Sequence, residues 1–199
     1  MKRISAAVLA VIIAAMPLAG CGKTPIKDSK SAVSAKDTEQ RQSETCQEAF
    51  TRMFNATYSP DSGEACYSYM FPQIVIDQLK NNGSYKSYID QFNDAQRPYI
   101  TNMTNTPTIT EFTDQIELTD ENLASAEVFF VERAADVSIG LNPEGINITE
   151  GYELHYNFID QNGNPDSDDN ECVVYIENDG WKVISISAEK LAERYPAGK

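Results

Sequence analysis

Tyr152-Glu153-Leu154-His155-Tyr156-Asn157-Phe158 sets a bulky apolar side chain at every second position and a polar one between. A period of two belongs to a β-strand with one buried face, because successive side chains on a strand point to opposite sides of the sheet. Downstream, residues 172–177 are apolar on both faces, the pattern of a central strand. Asn178-Asp179-Gly180 is turn chemistry and joins that strand to another over 181–187. Residues 187–195 have the spacing of a short closing helix.

Upstream the period lengthens. Leu123, Ala126, Phe130, Ala134 and Val137 share one helical face behind Thr119-Asp120-Glu121, although 127–131 also fits a strand. Phe112, Ile116 and Leu118 alternate with polar residues and predict a strand. Cys46, Ala49, Phe50, Met53, Phe54 and Thr57 predict an amphipathic helix over about 40–58, stopped by Ser59-Pro60-Asp61. Asp61 and Glu64 have capping-box spacing for a second helix with Ala65, Cys66, Tyr69 and Met70 on its face. Pro72 breaks or restarts that helix, which runs on through Ile74, Val75 and Leu79 to Asn81-Asn82-Gly83. Ser84 is placed to cap a third helix carrying Tyr85, Tyr88, Ile89, Phe92, Ala95, Tyr99 and Ile100, with a kink or stop near Arg97 before Pro98.

Helices first and a strand meander afterwards give an α+β fold, the N-terminal helices packed on one face of a curved antiparallel sheet. This order, closing in Asn178-Asp179-Gly180-Trp181-Lys182-Val183-Ile184, resembles the NTF2-like (cystatin-like α+β) superfamily. More narrowly it is similar to extracytoplasmic lipoproteins of Gram-positive bacteria with that fold, as is Ile148-Thr149-Glu150-Gly151-Tyr152 leading into a strand. The resemblance spans roughly residues 46–187. It implies a cone-shaped cavity between sheet and helices, and no single activity, since members include isomerases, dehydratases, binding domains and dimerisation modules.

The first twenty residues read as an address. Met1-Lys2-Arg3 is basic, residues 4–15 are apolar except for Ser5, and Met16-Pro17 is followed by Leu18-Ala19-Gly20-Cys21. The run is too short to span a bilayer and fits a signal peptide. Small residues before Cys21 resemble the lipobox of bacterial lipoproteins, in which that cysteine is lipidated and becomes the mature N-terminus; a secretory signal with a chance cysteine is the alternative. Residues 1–20 are thus assigned to a lipoprotein signal peptide, 21–45 to the lipidated cysteine and a Ser-, Thr-, Lys- and Ala-rich tether, and 46–199 to the folded domain. The chain is expected on the extracytoplasmic face of the cell membrane, held by lipid on Cys21.

The 199 residues carry 16 Lys and Arg against 30 Asp and Glu, a net charge of −14. Residues 46–199 hold 9 basic and 26 acidic side chains, a balance that excludes a nucleic-acid binder and reads most simply as solubility. No serine-nucleophile elbow, Cys/His pair, HExxH or phosphate-binding glycine loop occurs in the sequence, and no cofactor is expected. His155, the single histidine, falls on the polar side of its strand with Glu153 and Asn157. Asp160, Asn162, Asn164, Asp166, Asp168 and Glu171 stand at positions 1, 3, 5, 7, 9 and 12 of a calcium-loop spacing, but Pro165 replaces the turn glycine and strands flank the loop. The other reading of that stretch is a hairpin loop rich in turn formers.

Cys46, Cys66 and Cys172 remain once Cys21 is lipidated. Helix geometry disfavours a Cys46–Cys66 bridge, and all three also read as small core residues. Tyr67, Tyr85, Tyr88 and Tyr99 fit either a pocket or core and rim packing, and Trp181 reads as a hairpin anchor. The expected function is a non-enzymatic NTF2-like domain that binds a small ligand or an envelope protein. The alternatives are an enzyme of the same fold with a cavity acid or base, and a structural or homodimerising module. A buried Asp or Glu facing a Tyr favours the enzyme, whereas a purely apolar cone removes it.

Overall fold

The computed structural model describes residues 43–198. The expectations for the signal peptide, Cys21 and most of the tether lie outside the described residues. Among the described residues four helices come first: α1 (Cys46–Thr57), α2 (Gly63–Met70), α3 (Gln73–Asn81) and α4 (Tyr85–Asn102). Then follow β1 (Thr108–Glu117), α5 (Asp120–Asp136), β2 (Ile148–Ile159), β3 (Pro165–Ile176), β4 (Gly180–Ile184) and α6 (Ala188–Arg194). The fold is α+β, and its strands form one curved, unclosed antiparallel sheet in the order β1-β2-β3-β4.

α1 begins where Thr45 and Glu48 exchange hydrogen bonds. The Glu48 N–H donates to Thr45 Oγ1 at 3.2 Å and the Thr45 N–H to Glu48 Oε2 at 2.8 Å, satisfying two donors of the first turn. Its apolar stripe, Cys46, Ala49, Phe50, Met53 and Phe54, is buried as the spacing requires. The folded unit starts before the boundary drawn at residue 46. Glu44 is buried, its carbonyl accepts the Trp181 indole N–H at 2.9 Å, and its carboxylate lies 3.4 Å from both Arg52 Nε and the Tyr69 hydroxyl.

Register assigns the two sheet faces. Tyr152, Leu154 and Tyr156 of β2 share one face with Glu171, Val173 and Tyr175 of β3 and with Trp181 and Val183 of β4. α1 lies over that face: the Phe50 ring sits 4.9 Å from Tyr156, and the Phe54 ring 5.9 Å from Phe158. The opposite face is covered as well. Leu118, Leu123 of α5 and Val174 all come within 2.9 Å of where a side chain on Gly151 would begin, so only glycine admits α5 this closely. Double coverage explains why all five residues of β4 are buried.

Several local details differ from expectation. Ser62, not Asp61, precedes α2; its hydroxyl closes the α1–α2 turn by donating to the carbonyls of Ala56 and Ser59, while Asp61 takes a φ of 55°. Ser84 precedes α4 but donates its hydroxyl to Asn82 Oδ1 instead of capping. α4 runs through Pro98 to Asn102, because its exposed outer side lets water satisfy the carbonyl that proline leaves unpaired. Ile74 and Tyr99, counted on apolar faces, are exposed. β3 starts at Pro165, seven residues before the apolar run.

Candidate functional site

A polar cluster on the α1-covered side of the sheet is built by strand parity. Asp169 and Glu171 are two apart on β3 and so share a face, opposite Tyr156 and Leu154 of β2 respectively. The Tyr156 hydroxyl donates to Glu171 Oε1 at 3.3 Å. Glu171 is 6% exposed and Tyr156 1%, under the rings of Phe50 and Phe54. Asp169 and Tyr58, which follows α1, are half-buried, so the cluster runs from the core to the surface. Tyr58 leans on Phe54 at 5.1 Å.

A buried carboxyl beside another resists ionisation on two counts, desolvation and like charge. Burial, then the neighbouring charge of Asp169, pushes Glu171 up to about 7, against the pull of hydrogen bonds from Ser185 and Tyr156. Burial also raises Asp169, and Asp166 adds to the rise, while the Asn170 N–H and Lys190 oppose it. Burial and the two carboxylates push Tyr58 up to about 12 and Tyr156 well above the ordinary phenol range. The two phenols, and Glu171 when it carries its proton, can therefore donate as well as accept hydrogen bonds near neutral pH.

The calcium spacing does not assemble into one place. Asp160 folds its carboxylate onto its own loop, accepting the N–H groups of Asn162 and Asn164 at 2.8 Å each and both their side-chain amides. Asp166 and Asp168 are exposed on the projecting arm of β3, whereas Glu171 faces inward to Tyr156. Among the described residues no group of three or more His, Cys, Asp or Glu side chains is arranged to hold a metal ion. Calcium and magnesium at matched ionic strength are expected to shift the melting temperature equally and slightly, by screening the acidic arm. A calcium-specific shift that disappears in Asp160→Ala contradicts this.

His155 is half-buried, with Nε2 3.4 Å from Glu153 Oε2. Glu153 Oε1 also accepts the Ala188 N–H at 2.8 Å and the Asn170 amide at 3.0 Å, so this carboxylate seats α6 on the sheet. Cys46, Cys66 and Cys172 are buried free thiols. Burial pushes Cys66 up to about 11 and raises Cys46 and Cys172 too, away from the nucleophilic thiolate. Tyr67 is core, stacked on Phe71 at 4.9 Å, Tyr85 and Tyr88 pack against the core from its rim, and Tyr99 is exposed.

The sequence reading places Glu171 in the calcium spacing and Tyr156 only in the strand pattern, and does not pair the two. The signal was present: counting back by twos from Val173 on β3 puts Glu171 on the apolar face. No protein family, curated protein or solved structure matches the chain.

Proposed function

We propose that the chain is a lipid-anchored extracytoplasmic protein whose NTF2-like domain binds a small ligand. The observation that carries the anchor is Leu18-Ala19-Gly20-Cys21 directly behind a short apolar run and a basic start. Among the described residues no helix is long and apolar enough to cross a membrane. The binding reading is supported by the Glu171–Tyr156–Asp169 group, whose half-buried end at Asp169 and Tyr58 meets solvent. Such a group suits a small polar ligand presenting both hydrogen-bond donors and acceptors.

A second reading, an enzyme using an acid or base in the same place, is favoured by one observation. Glu171 is held near 7, where a carboxyl gives and takes protons readily. The interior is also not purely apolar. A ligand whose turnover, not merely its binding, is lost in Glu171→Gln decides for the enzyme.

Replacing Cys21 tests the anchor. Cys21→Ala is expected to move the chain from the membrane fraction to the soluble fraction and to end incorporation of labelled fatty acid. Label persisting on the variant refutes the assignment.

A further inference from the structure

We propose that Asp169 and Glu171 form a proton-held latch: with a proton on the pair, the C-terminal end of α1 and Tyr58 stay closed on the sheet, and its loss lets that end lift. The geometry supplies each part. Glu171 lies beneath α1 with two hydroxyls, Tyr156 and Ser185, as hydrogen-bond partners. The charge that bears on it is that of another carboxyl, Asp169. Phe50 and Phe54 roof Tyr156 from α1, and Phe112 of β1 closes the side at 6.4 Å.

The groups facing the pair are Tyr156 from β2, Asp166 from β3, Ser185 after β4, Tyr58 after α1 and Lys190 from α6. Lys190 acts on Asp169, the outer member, so its charge does not neutralise the inner carboxylate. A carboxylate so placed needs water, and the half-buried Tyr58 and Asp169 are where this cluster reaches solvent. Ionisation therefore opens the structure at the end of α1 rather than at its capped start by Thr45 and Glu48.

The sign follows from linkage. An acid raised in the folded state binds its proton more tightly there than in the unfolded chain. Its contribution is complete below the ordinary glutamate value of 4.5 and is lost as pH rises through about 7. The latch thus holds in mildly acidic surroundings and weakens in alkaline ones.

The test uses the full chain in detergent micelles, with melting followed by circular dichroism from pH 4 to 9 and amide hydrogen exchange at pH 5 and 8. The melting temperature is expected to fall between roughly pH 5 and 7.5, and the amides at the end of α1 to exchange about tenfold faster at the higher pH, after correction for intrinsic rates, than those of α5. Glu171→Gln keeps the Tyr156 contact and should abolish both effects. Asp169→Asn removes the like charge and should move the midpoint to lower pH without abolishing the fall. A fall that survives Glu171→Gln and vanishes in His155→Gln overturns the latch, as does faster exchange spread evenly over the helices. None of these outcomes depends on a ligand, so the latch and the binding reading stand or fall separately.

Discussion

Asp179→Ala is expected to lower the unfolding free energy by about 3–5 kcal/mol, the cost of stripping a buried charge of its partner. Lys182 is fully buried, with its ammonium 2.5 Å from Asp179 Oδ1 and 3.1 Å from the Ser68 carbonyl. The other oxygen, Asp179 Oδ2, accepts the Gln73 N–H at 2.6 Å. That N–H opens α3, where Pro72 has no side-chain cap to offer. Asp179 and Lys182 thus tie the β3–β4 turn, the end of α2 and the start of α3 together. Against a typical domain stability of about 5–15 kcal/mol, its loss leaves a marginal fold. Asp179→Asn keeps an acceptor but not the charge and should fall between. The double variant Asp179→Asn, Lys182→Met should recover much of the loss, because the buried charge is then removed together with the carboxylate that balanced it. Denaturant unfolding measures all four proteins, and a loss under about 1 kcal/mol in Asp179→Ala would show that Lys182 is neutralised elsewhere.

Phe50→Ala should cost a similar amount, about 3–5 kcal/mol, from lost burial and the cavity left behind. The ring is 1% exposed and touches Phe54, Phe112 and Tyr156 with centroids 4.9 to 6.2 Å apart. Stability is only half of the expectation. Removing the ring admits water above Tyr156 and Glu171, which lowers the desolvation that raises the Glu171 carboxyl. The variant should therefore lose less stability than the wild type between pH 5 and 7.5, as read by denaturant unfolding at each pH. Phe50→Leu, which refills most of the space, should restore both quantities in part. A destabilised Phe50→Ala with an unchanged pH profile would mean that the roof over Glu171 is built by other side chains.

How far the sequence could be read follows from where side chains are buried. α1, α5 and β2 are half-buried elements, so their periodicities survive in the apolar pattern and their faces were assigned correctly at Phe50, Phe130 and Leu154. The first part of β3 projects beyond the helices with Asp166, Ser167 and Asp168 exposed, and a strand wet on both faces carries no alternation. That is why residues 160–171 looked like a loop and Glu171 like its last ligand. The Thr45–Glu48 capping box was legible but obscured by the polar stretch in front of it. Glu44 was not legible at all, because its burial depends on Arg52, Tyr69 and Trp181, far apart in the chain. α4 passes through Pro98 because its solvent side tolerates a missing bond, which local propensity alone cannot register.

Trp181 is the single tryptophan of the chain. Its indole N–H is held by the carbonyl of Glu44, and its ring lies 5.2 Å from Tyr175 and 5.9 Å from Tyr152. The protein thereby carries its own optical gauge. Light absorbed by the two tyrosines is passed to one indole, and the colour of that indole's emission depends on whether the residues just ahead of α1 are seated. A shift of the emission to longer wavelength, with the backbone signal of the sheet unchanged, would register the unseating of that segment alone. A shift that comes only with loss of the whole sheet would show that the entry segment and the domain let go together.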